Sequence, residues 1–155
     1  MTIPVSTAPA VRSWLLSQCE ASLTPDPLDK SAQLLVCLDD PGTYQPDDIV
    51  KIGDVTNAFK VTSLVGSGGD GWLEERYSVD VDVEVFRGND DPQAVSERAY
   101  LLAAGVIACV RADPSLGGNV LVAEPTSAEY TGTASDDHSG RIGSLTLKIE
   151  CYQRI

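Results

Sequence analysis

Asp80, Asp82 and Glu84 alternate with Val79, Val81, Val83 and Val85, a period of two that places all three carboxylates on one face of a strand. Oxygen ligands on one face are the chemistry of a hard divalent cation. Successive same-face side chains stand about 7 Å apart, however, too far to share one ion without help from another segment. The plain reading is a solvated acidic face, and the sharper one is a surface whose negative charge has a purpose.

Other residues imitate chemistry without its context. Gly66-Ser67-Gly68-Gly69-Asp70-Gly71 has the spacing G-x-G-x-x-G, with Asp91 placed where a dinucleotide-binding fold keeps its ribose acid. That fingerprint works only between a strand and a helix, where pyrophosphate meets the helix N-terminus. Here the next regular element is the valine strand, and no Lys-Ser or Lys-Thr follows, so the glycines read as a flexible connection. The sole histidine, His138, stands beside Asp136, Asp137, Ser135 and Ser139. A Ser-His-Asp set needs a buried orienting carboxylate and a nucleophile on a sharp turn, and no G-x-S-x-G elbow occurs. Cys19, Cys37, Cys109 and Cys151 include no C-x-x-C pair; each sits in an apolar pattern, so reduced core thiols are expected, with a disulfide as the alternative. No catalytic residue, cofactor or metal site is expected.

Eleven Lys and Arg against 23 Asp and Glu give a net charge of −12 and a pI near 4.2. Phosphate binding needs clustered cations that release counterions, and no basic stripe is visible, so specific nucleic-acid binding is disfavoured. With 155 residues, 43% of them hydrophobic, the chain can bury one core, read as a single domain over 1–155. No run nears the roughly 18 apolar residues of a membrane span, and Met1 to Pro9 lacks a basic region followed by an apolar run. A soluble, unprocessed protein without membrane contact is expected.

The elements that would position these residues follow from periodicity. Val11, Trp14, Leu15, Cys19 and Leu23 predict an amphipathic helix over 10–23, stopped by Pro25 and Pro27. Residues 31–38 read as a strand, and 48–55 and 59–65 as two short strands separated by Thr56-Asn57-Ala58. Tyr77 to Phe86 is the clearest strand. Asp91 and Pro92 open a long helix over 93–112 with a stripe through Val95, Ala99, Leu102, Val106, Cys109 and Val110. Residues 119–123 and 145–151 are two more strands, with 126–140 as a long polar loop. This order lacks strand-helix alternation and predicts an α+β fold, a mostly antiparallel mixed sheet with two amphipathic helices packed on one face. Trp72, beside the glycines, reads as a core anchor or a partner contact. Tyr130 and its loop read as an assembly contact or a mobile surface.

The second half carries Glu75-Arg76-Tyr77, the valine strand, Arg87-Gly88-Asn89-Asp90-Asp91, Glu97-Arg98-Ala99, Asp113-Pro114-Ser115-Leu116-Gly117-Gly118-Asn119-Val120, Gly140-Arg141 and the closing Cys151-Tyr152-Gln153-Arg154-Ile155. In order, spacing and total length this run resembles the tail terminator proteins of long-tailed (siphovirus-type) bacteriophages, especially those of actinobacterial hosts. The resemblance covers roughly residues 35–155. It implies a non-enzymatic virion protein, assembled in the host cytoplasm, that forms a homo-oligomeric ring, commonly a hexamer, on the head-proximal end of the tail tube. There it stops tube polymerisation, meets the head completion or neck proteins, and lets DNA pass through its hole without specific binding.

Within such a ring, Asp80, Asp82 and Glu84 are lumen-facing candidates that would repel the passing DNA, with Lys148 a candidate cross-strand partner. Trp72 and Tyr130 are candidates for assembly contacts, since a rotational head-to-tail ring needs two unlike patches on each subunit. A head completion or connector protein of the same neck is the first alternative. A small acidic ligand-binding or enzymatic domain is the second, weakened by the lack of a convergent nucleophile, base and metal-ligand set.

Overall fold

The computed structural model describes residues 6–63, 72–136 and 139–154, the side chains of residues 62, 63 and 72 excepted. The valine strand is the middle of its sheet. It forms β3 (Trp72–Arg87), flanked by β2 (Asp48–Ser63) on one side and β5 (Arg141–Arg154) on the other; β1 (Leu34–Leu38) and β4 (Val122–Ala134) complete the order β1-β2-β3-β5-β4. β1 runs parallel to β2, and every other pairing is antiparallel. With α1 (Ala8–Ser22) and α2 (Pro92–Ala112), the fold is the expected α+β arrangement.

Alternation sorts the two faces. Val79, Val81, Val83 and Val85 all point to the helix side and are fully buried, as are Val50 and Ile52 on β2 and Ile149 on β5. Val11, Leu15 and Cys19 of α1 and Val95, Ala99, Leu102, Val106 and Val110 of α2 close over them. α2 begins as its sequence requires, with the Asp91 carboxylate accepting from the Ala94 N–H at 3.1 Å and Pro92 in the first turn. The helix is also long and apolar enough to cross a membrane by length and composition alone; here its stripe packs on the sheet.

Two regions differ in kind from expectation, and both for reasons of position. Residues 48–63 form one strand, with a bulge between Ile52 and Val55 as its only break before Val61. Thr56, Asn57 and Ala58 pair with Ser78, Tyr77 and Arg76; all three are exposed, so the strand needs no large apolar side chains there. Residues 126–134 are likewise no loop but most of β4, and the preceding strand begins at Val122, not Asn119. β4 is the outer strand beside β5 and mostly exposed, with Ala123 buried and Tyr130 half-buried, so it lacks the period-two pattern that marks a half-buried strand.

Behind α2 the chain turns through Leu116, Gly117 and Gly118, all at positive φ (49°, 74° and 82°). A Cβ on Gly117 would lie 2.6 Å from Trp14 Cδ1 of α1, whereas one on Gly118 would meet nothing within 4 Å. Gly118→Ala should therefore cost only the left-handed strain, about 1–2 kcal/mol. Gly117→Ala adds overpacking of about 1–3 kcal/mol. Urea midpoints check the order; equal losses would mean that Trp14 yields freely.

Candidate assembly surfaces

Asp80, Asp82 and Glu84 lie on the sheet face that carries no helix, half-buried by their neighbours. Lys148 stands directly opposite Asp80, with Nζ 3.7 Å from Oδ1. Thr146 donates its hydroxyl to Asp82 at 2.9 Å, and Lys51 donates to Glu84 at 2.8 Å. Burial pulls the Lys51 ammonium down, but Glu84's hydrogen bond and charge outweigh it and hold the group above its ordinary value. Farther along the face, the Arg76 guanidinium sits 4.4 Å from the Tyr152 ring centre, and Arg154 lies 3.7 Å from Glu74. Cations are thus interleaved with carboxylates on this face, although Glu124 stands directly opposite Glu150. Among the described residues no group of three His, Cys, Asp or Glu side chains is arranged to hold a metal ion.

The other sequence candidates are placed as follows. Tyr130 on β4 is half-buried, its ring 5.7 Å from that of Tyr100 on α2. It lies over Gly143, where a Cβ would come within 2.8 Å of its hydroxyl. Trp72 opens β3 opposite Ser63; its side chain, the glycine stretch 66–71, Asp137 and His138 lie outside the described residues. All four cysteines are free thiols. Burial pushes Cys19 and Cys151 up to about 12, so neither is a thiolate at neutral pH.

Beneath the helix side, at the end of β3, a group of charges went unread as a cluster in the sequence. Asp48 is fully buried and accepts from Arg87 Nη1 at 2.6 Å and Nη2 at 3.2 Å, and from Arg98 Nε at 2.9 Å. Arg98 also donates to the Thr24 carbonyl at 2.7 Å, and Arg87 to Asp26 at 2.8 Å. Four segments meet there: the loop after α1, the start of β2, the end of β3 and the first half of α2. The available signal was Arg98 itself, an arginine between Val95 and Leu102 on an otherwise apolar stripe.

Burial raises the Asp26 carboxyl, but hydrogen bonds from Arg87 and the Leu28 N–H, with the charges of Arg98 and Arg87, outweigh that and leave it below the usual carboxylate range. A lowered folded value means stability present above the unfolded value and lost as pH falls through the folded one. Asp26→Asn should therefore cost about 1.5–3 kcal/mol at pH 7. The gap from the native chain should narrow once pH drops below about 4. Urea unfolding at pH 7 and pH 3 measures it; a gap unchanged with pH would separate Asp26 from Arg87.

At the opposite end of β3 the sheet outruns its helices. Glu75, fully buried, accepts from the Thr7 N–H at 3.1 Å and from Asn57 Nδ2 at 2.8 Å, which ties the start of α1 to β2 and β3. Phe59 stands directly across from Glu75, and past it the two strands continue as an arm with Val61 opposite Leu73; Phe59 and Val61 are 54% and 56% exposed. No protein-family model matches the chain, and no curated protein is similar enough to count as a relative.

Proposed function

We propose that this chain is a structural subunit that acts by self-association, forming a ring of the tail-terminator kind on the head-proximal end of a phage tail tube. There it ends tube growth and offers the surface for joining to the head. The observation that carries the reading is the arm. Phe59 and Val61 stand exposed side by side on one face of a paired strand, and adjacent exposed apolar side chains suit a protein contact.

The helix-free face suits the hole of such a ring. Lys51, Arg76, Lys148 and Arg154 are each engaged by a carboxylate or by Tyr152, so the face offers passing phosphates no run of unengaged cations. Co-sedimentation decides between neighbouring roles: the purified protein is expected to pellet with tail tubes assembled in its absence. Pelleting only with filled, tailless heads would make it a neck component instead.

A further inference from the structure

α1 and α2 run past each other in opposite directions. Leu23, just beyond the end of α1, lies against the middle of α2, where a Cβ on Gly105 would collide with its Cδ2; Trp14, farther back on α1, lies against Gly117, beyond the end of α2. Residues four apart share a helix face. One turn back from Leu23 and one turn on from Gly105 therefore meet at Cys19 and Cys109. Gly105, Ala108 and Ala112 of α2 face Gln18 and Ser22 of α1 across an open crevice of about 430 Å³, and Cys109 lines it. Cys109 is half-buried and Cys19 fully buried. Burial pushes the Cys19 thiol up to about 12, and the charge and hydrogen bonding of the adjacent Cys109 thiol add to the rise. The other two thiols have no such partner in each other: Cys37 is on β1 and Cys151 on β5, three strand spacings or roughly 14 Å apart, beyond disulfide reach.

We propose that Cys19 and Cys109 are a redox pair that closes into a disulfide between α1 and α2 when the chain meets a small-molecule disulfide as oxidant. Cys109, reached through the crevice, reacts first: its thiolate attacks one sulfur of the oxidant, forming a mixed disulfide and releasing one small thiolate. Cys19 then loses its proton to water and attacks Sγ of Cys109, expelling the second small thiolate. Two protein thiols are thereby oxidised to one disulfide, and the oxidant is reduced to two thiols that take up the two protons. A reducing cytosol keeps the pair open. Under the virion reading above, release from the host supplies the oxidising surroundings, so the bond fastens α1 to the body after assembly; the chemistry itself needs no ring.

The test incubates the purified full chain with oxidised glutathione and maps its peptides without reduction. A Cys19–Cys109 cross-link within one chain is expected, with a rise in melting temperature of roughly 5–15 °C that dithiothreitol reverses. Cys109→Ser, at a half-buried site, should fold natively and give neither the cross-link nor the rise. Cys19→Ser should stop at one glutathione on Cys109, and Cys37→Ser should behave as the native chain does. Glutathione left on Cys109 of the native chain with Cys19 still free would overturn the inference. So would thiols that stay unchanged, a cross-link that includes Cys37 or Cys151 or joins two chains, or a Cys19–Cys109 bond that leaves the melting temperature where it was. None of these outcomes touches the ring reading, which tube co-sedimentation tests separately.

Discussion

Asp48→Ala should unfold about 3–5 kcal/mol more easily than the native chain, the cost of leaving buried charge unpaired, which for this chain length lowers Tm by on the order of 10 °C. Asp48 is the one carboxylate bonded to both Arg87 and Arg98, and all three side chains are nearly or fully buried. Without it Arg98 keeps the Thr24 carbonyl, and Arg87 keeps Asp26 and, at 3.5 Å, Asp29. Arg98→Met should cost less, because Asp48 would still hold Arg87 through two hydrogen bonds. Urea unfolding is the check; a loss under about 1 kcal/mol would mean that the ion pairs merely offset their own desolvation.

Leu102→Ala should cost about 2–5 kcal/mol, whereas Leu101→Ala, one residue earlier on the same helix, should change folding by less than about 0.5 kcal/mol. Leu102 is 1% exposed, packed in the core that α2 closes over β3 and β5. Leu101 is 56% exposed. Leu102→Ala should therefore show a lowered urea midpoint and Leu101→Ala a native one. A shared stability loss would place Leu101 in the core.

α2 and the central strand were legible because one period ran through each without interruption, and because Asp91 and Pro92 mark a helix start by their own chemistry. Lys148 was legible as a candidate cross-strand partner for the carboxylates, but that it stands opposite Asp80 is a matter of register, which the period of two does not fix. β2 was divided wrongly because Thr56, Asn57 and Ala58 have the composition of a turn, and their pairing with β3 is a long-range fact. Most of β4 was missed, beyond its first residues, because an edge strand with only scattered buried residues has no continuous apolar face to repeat. The Asp48 cluster depends on register and helix placement together, so its members are ordinary residues when read singly.

The reading as a tube-ending ring is tested most directly by negative-stain electron microscopy of growing tail tubes, with and without the purified protein, while tube subunits remain in supply. Rings seated on one end of each tube, with elongation arrested at that end, are the expected result. Bare tube ends and unchanged growth at saturating protein would contradict it.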